Sequence, residues 1–273
     1  MLHKMIRVLV AEENATARDV VKSGIAVLRE KRYIEIDAVS NGYEALQALK
    51  MKAYDIAFID LGLSGHNGQQ VFAAIKDTKS FNCLTVAMSN SMDTDDGAVL
   101  KQTGAYHYLK KPFRHDDVTD IVATSFLMTS PCPILIVDDS ATMRKITRSI
   151  LENSRFEFEI AEADCAKAAL RMLAGGKFKI VLTDFHMPGG DGLELAGAIR
   201  DMSSRIGVYM MSTNDTSYLE RSAAFIGIAG FLKKPFTSED IDAVMHEHLE
   251  LSRPEFGKNL KMFSFESQEK RVS

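Results

Sequence analysis

Two kinds of hydrophobic pattern alternate along this chain. Short apolar runs recur at Ile6 to Ala11, Ile34 to Ala38, Ile56 to Asp60, Leu84 to Met88 and Tyr106 to Leu109, then again at Ile134 to Val137, Glu157 to Glu162, Lys179 to Asp184, Gly207 to Met211 and Ala229 to Phe231. Runs such as Ile180-Val181-Leu182-Thr183-Asp184 carry no polar alternation and read as strands buried on both faces. The longer stretches between them repeat apolar residues every three or four positions, as amphipathic helices do. In the second half, Ser140 is the expected N-cap of a helix with Met143, Ile146 and Ile150 as its apolar stripe. The last helix opens at Ser238, carries Glu239 and Asp240 in its first turn, and aligns Ile241, Val244, Met245 and Leu249. Strands alternating with helices build βαβ units, so the pattern predicts an α/β fold with five parallel strands and five helices in each half.

The halves are copies of each other. Val8-Leu9-Val10-Ala11-Glu12-Glu13-Asn14-Ala15-Thr16-Ala17-Arg18 recurs as Ile134-Leu135-Ile136-Val137-Asp138-Asp139-Ser140-Ala141-Thr142-Met143-Arg144, a displacement of 134 − 8 = 126. Tyr54 to Asp60 recurs as Phe178 to Asp184 (184 − 60 = 124), and Tyr108 to Phe113 as Phe231 to Phe236 (234 − 111 = 123 at the second lysine). So small a drift means domain duplication rather than a short solenoid period. The expected division is residues 1–129, 130–252 and a tail, 253–273, read as a flexible end or a docking peptide. Thr129-Ser130-Pro131-Cys132-Pro133 is a connector that two prolines make stiff.

Composition narrows the choice of partners. A net charge of -4 and a pI near 6.0 give no general attraction to nucleic acid or anionic membrane, and DNA binding is not expected. The apolar runs are far too short to span a bilayer and the start shows no signal h-region, so the expected location is the cytoplasm. Cys83, Cys132 and Cys165 lack metal-ligand spacing and read as reduced structural thiols.

The candidate chemistry lies where the strands end. A lone Asp before a Pro-Gly loop usually caps a turn, but Asp184 is matched by other segments. Asp138 and Asp139 follow the first strand of the second half, and in a parallel sheet they would meet Asp184 at one carboxyl edge. Three gathered carboxylates repel unless a hard cation neutralises them, and an all-oxygen set suits Mg²⁺. Ser212 ends the fourth strand and Lys234 follows the fifth, supplying a hydroxyl and an ammonium. Acid, metal, hydroxyl and lysine together suit phosphoryl transfer onto a carboxylate.

On these five elements in order, each half resembles the receiver domain of two-component response regulators. The resemblance implies two doubly wound, flavodoxin-like domains with parallel five-stranded sheets. It also implies Asp184 as phosphoacceptor, Asp138 and Asp139 as the acidic metal pair, a backbone carbonyl of His186 as a further ligand, Ser212 as switch hydroxyl, Lys234 as the phosphate-contacting lysine and Phe231 as the aromatic switch. The implied partners are a histidine kinase or histidine phosphotransfer protein upstream and an unknown protein target downstream, reached through altered contacts. A phosphate sink with no output partner is the alternative. The chain would be no enzyme beyond its own Mg²⁺-dependent phosphorylation and dephosphorylation. A homodimer through the last two helices is a further expectation.

The first half departs from the pattern. Glu12 and Glu13 replace the aspartate pair, Ser64 stands where the second half has Pro188, and the acceptor candidate is Asp60 with Gly62, Ser89, Lys111 and Tyr108 around it. Retention of acid, hydroxyl and lysine favours weaker but competent metal binding, with a pseudo-receiver as the rival. His186 and Asn214 are expected to border the water path to an acyl phosphate and to set its lifetime. Gly189-Gly190-Asp191 resembles part of a diguanylate cyclase signature, but reads as a turn. His246 and His248, two apart on a helix, read as solvated surface.

Overall fold

The computed structural model describes residues 5–29, 33–77, 83–91, 94–187, 190–213, 226–252, 254 and 256. They divide into a first unit running to Leu127, which also takes Ser252, Pro254 and Phe256, and a second unit, Met128–Leu251.

The first unit runs β1(Ile6–Ala11), α1(Ala15–Ala26), β2(Ile34–Val39), α2(Gly42–Met51), β3(Ile56–Asp60), α3(Gly68–Asp77), β4(Leu84–Ser89), α4(Thr94–Gln102), β5(His107–Lys110) and α5(His115–Met128). Its five strands lie in the order β2-β1-β3-β4-β5, every pair parallel. β3 is buried along its whole length, which is why its residues show no polar alternation. Burying each of Ile56, Phe58 and Ile59 contributes roughly 1.5–3 kcal/mol. Phe256 packs half-buried against the core formed by Leu9, Ile59, Val71, Phe72 and their neighbours.

The second unit repeats the plan with β6(Cys132–Val137), α6(Ala141–Glu152), β7(Phe158–Ala163), α7(Ala166–Leu173), β8(Ile180–Asp184), β9(His186–Met187), β10(Gly190–Asp191), α8(Gly192–Met202), β11(Gly207–Ser212), β12(Gly230–Lys233) and a C-terminal helix, Ser238–His248. The parallel order, β7-β6-β8-β11-β12, matches that of the first unit. In both sheets the chain reverses its winding between the first and third strands, so the crevice at their carboxyl ends is the place for a ligand. None of the helices is long and apolar enough to cross a membrane among the described residues.

Several expectations need correction. The core face of α6 is Thr147 and Leu151, with Met143 and Ile150 half-buried and Ile146 exposed. Cys132 and Pro133 belong to β6, so the connector is shorter than the sequence suggests. His246 is buried rather than solvated: its Nδ1–H donates to the Asp242 carbonyl at 2.7 Å, and its ring meets Phe156 edge-on. Gly190 and Asp191 pair antiparallel with Met187 and His186, and Gly189, part of the expected turn, lies outside the described residues. Cys83, Cys132 and Cys165 are free, and burial pushes the Cys132 thiol up, away from thiolate reactivity. The tail beyond Phe256 lies outside the described residues.

Candidate functional site

At the carboxyl edge of the second sheet, Val137 of β6 pairs with Thr183 of β8, so Asp138 and Asp184 leave adjacent strands side by side. Asp138, Asp139 and Asp184 each bring one carboxylate oxygen within 4.8 Å of the others. Asp138 is buried; one of its oxygens accepts the Ser140 N–H at 2.9 Å. The other accepts from Lys234 Nζ at 2.9 Å, and the same ammonium lies 2.9 Å from Asp184 Oδ1, which also accepts the Phe185 N–H at 3.0 Å. Burial alone would lower the Lys234 pKa, but hydrogen bonds to Asp138 and Asp184 more than offset it and hold the value above that of an ordinary lysine. Three carboxylates and one ammonium leave a formal charge of −3 + 1 = −2. That charge and the all-oxygen donor set fit a hard divalent cation.

The remaining sequence-predicted residues arrive by register. Met211 pairs with Asp184, so Ser212 ends β11 one position beyond the acceptor, and its side chain is buried. The Lys234 N–H donates to the Ser212 carbonyl at 2.7 Å, tying the lysine-bearing loop to β11. Phe231 sits half-buried on β12 against the core. His186 is exposed, its ring edge-on to Phe185, whereas Asn214 lies outside the described residues.

The first unit places its counterparts at the same edge. Lys111 Nζ bridges Glu12 Oε2 at 2.6 Å and Asp60 Oδ1 at 2.9 Å. Here too burial pulls the lysine down and the bonds to Glu12 and Asp60 raise it further than that. Met88 pairs with Asp60, placing Ser89 as Ser212 is placed, and the Tyr108 hydroxyl donates to the Ser89 carbonyl at 3.2 Å. Gly62 lies two residues beyond the acceptor, where the second unit has His186. The peptide bond after each lysine, Lys111-Pro112 and Lys234-Pro235, is cis.

Two pairs of residues were missed as parts of the site. Arg144 Nη1 donates to the Asp138 carbonyl at 2.8 Å and the Asp139 carbonyl at 3.3 Å, fixing the backbone of the acidic pair; Arg18 does the same for Glu12 and Glu13 at 2.6 and 3.3 Å. Both arginines close the repeated segment, which was the available signal. Gly192 and Gly68 open α8 and α3, and a Cβ on either would press on the carbonyl of the acceptor aspartate eight residues earlier (192 − 184 and 68 − 60). That shared spacing was legible in the repeat.

Comparison with known proteins agrees with this geometry. The response regulator receiver domain matches twice, at residues 8–123 and 134–246. The chain is 38% identical over 108 residues to the chemotaxis protein CheY of Pseudomonas aeruginosa, covering 39% of this chain and 86% of that protein. It is also 38% identical over 107 residues to the chemotaxis protein CheY-3 of Vibrio cholerae, covering 38% and 82%. A crystal structure of a two-component system response regulator/GGDEF domain protein superimposes with a TM-score of 0.59 at 23% identity, covering 90% of this chain and 98% of that one, and shares the fold. This chain therefore belongs to the response regulator receiver domain family and carries two copies of that domain.

Proposed function

We propose that the chain is a tandem-receiver response regulator of a phosphorelay, accepting a phosphoryl group on Asp184 and signalling through altered protein contacts. The observation that carries this reading is the cluster of Asp138, Asp139 and Asp184 with Lys234 bound to two of its members. The donor is a phosphohistidine on a kinase or phosphotransfer protein: its P–N bond breaks, the imidazole leaves, and a P–O bond forms to the Asp184 carboxylate. A magnesium ion held by Asp138, Asp139, Asp184 and the His186 carbonyl would neutralise charge on the phosphoryl oxygens. Lys234, already charged and bound to the acceptor, offsets the remainder. The Ser212 hydroxyl closes on the new phosphoryl oxygens, and half-buried Phe231 repacks behind it, so the local charge change reaches the outer face of the unit. The chain's own catalysis is limited to gaining and losing this one group.

The test is incubation with acetyl phosphate and Mg²⁺ followed by peptide mapping. Acyl phosphate on Asp184, absent in Asp184→Asn, is the expected result. A chain that takes up no phosphoryl group, or one labelled equally in the variant's corresponding peptide, contradicts the proposal.

A further inference from the structure

The two pockets contain the same classes of residue, yet only the second gathers three carboxylates. Among the described residues, no set other than Asp138, Asp139 and Asp184 brings three such groups within mutual reach. The longer side chain at Glu13 accounts for the difference. Glu12 is fully buried; its Oε1 accepts the Asn14 N–H at 2.9 Å and its Oε2 lies 2.6 Å from the Lys111 ammonium, as the Asp138 oxygens lie toward Ser140 and Lys234. Lys111 also holds Asp60. Glu13 reaches away to Ser64, whose Oγ lies 3.5 Å from its Oε1, at the position where the second unit has Pro188. The hydroxyl of Ser89 has one proton and donates it to the Ser91 carbonyl at 2.7 Å, while the Ser91 N–H donates back at 3.3 Å.

Lys111 thus serves both carboxylates that reach it in the first pocket. Glu12, Asp60 and Lys111 carry a formal −2 + 1 = −1, against −2 in the second pocket, and Glu13 is turned elsewhere. Octahedral Mg²⁺ demands several close oxygens at once, and with Glu13 directed to Ser64 the first pocket brings only Glu12 and Asp60 to its lysine. These residues do not fit the ion that the family implies.

We propose that the first receiver unit is a metal-free pocket closed by Lys111, and that the chain's phosphoryl chemistry is confined to Asp184. The second clause rests on the reading of the second pocket given above. It replaces the sequence expectation of weaker but competent metal binding at Glu12, Glu13 and Asp60.

The test counts Mn²⁺ sites on the full chain by electron paramagnetic resonance and maps acyl phosphate after treatment with acetyl phosphate. A single site, lost in Asp138→Ala, and no label on Asp60 in Asp184→Asn are expected. Two sites in the wild type, or phosphorylated Asp60, overturn the proposal. Absence of any site or label in the wild type overturns instead the reading of the second pocket, so the two failures are distinct. The double variant Glu12→Asp/Glu13→Asp, which shortens both side chains, is expected to gain a second site; a count that stays at one overturns the explanation by chain length.

Discussion

At the scale of single residues, the site depends on groups that hold others in place. Asp138 and Asp184 provide oxygens, but Arg144 fixes the backbone from which two members of the acidic set project. Arg144 also pairs with Glu162 at 3.3 Å, so its fork is oriented before it meets the carbonyls. Arg144→Ala is expected to weaken Mn²⁺ binding, on the order of 10-fold as for other outer-shell partners, without changing the site count; titration followed by electron paramagnetic resonance checks this, and unaltered affinity would count against the clamp. A second residue tests the electrostatics away from the metal ligands. Burial raises the pKa of Asp242, against the opposing pull of the Ser154 hydroxyl, the Arg155 N–H and guanidinium, and His246. A carboxyl raised above its unfolded value favours folding fully below the ordinary aspartate pKa of 3.8, and that contribution is lost as pH rises through the folded value. Asp242→Asn, which keeps an acceptor without the charge, should therefore gain stability relative to wild type as pH rises from acid to neutral. Urea midpoints at the two pH values measure the difference; a gap independent of pH contradicts it.

At the scale of elements, strands were legible because burial on both faces leaves a plain signature. The sequence runs at Ile56 to Asp60 and Lys179 to Asp184 match β3 and β8 to within a residue. The helix faces were less legible. Thr147 occupies the centre of the α6 core face, its hydroxyl 3.9 Å from Met211 Sδ, and a threonine there hides the true stripe while Ile146 suggests a false one. The C-terminal helix opens at Ser238 as expected, but its start is secured by Asp240, whose carboxylate accepts both the Thr237 N–H and hydroxyl at 2.7 and 2.9 Å. Close approach of backbones was invisible without coordinates. On Gly192 a Cβ would also lie 2.9 Å from Met210 Cε, so α8 can start against Asp184 only because that residue has no side chain. Gly192→Ala is expected to cost about 1–3 kcal/mol and to slow phosphorylation by shifting the acceptor's backbone. Gly68→Ala should destabilise comparably while leaving Asp184 phosphorylation intact. Denaturant midpoints and acetyl phosphate kinetics separate the two, and equal kinetic losses would remove the positional argument.

At the scale of the whole molecule, duplication supplied one fold twice and the side chains then made the copies unequal. The fold and the edge that carries the site followed from the repeat and from parallel-sheet topology. The inequality and its direction were legible in Glu12 and Glu13, but its cause required coordinates: Glu12 keeps the contacts of Asp138, to Asn14 and Lys111, whereas Glu13 goes to Ser64. A second copy kept for its frame rather than its chemistry is consistent with a first unit that retains its own buried core around Leu9, Ile59, Phe72 and Leu100. The central claim, one working acceptor assembled beside one divalent site, is tested most directly by fluorine magnetic resonance of the full chain with beryllofluoride, which mimics an acyl phosphate, and Mg²⁺. Protein-bound fluoroberyllate resonances that all disappear in Asp184→Asn are the predicted result; no bound resonance, or any that survives in that variant, contradicts it.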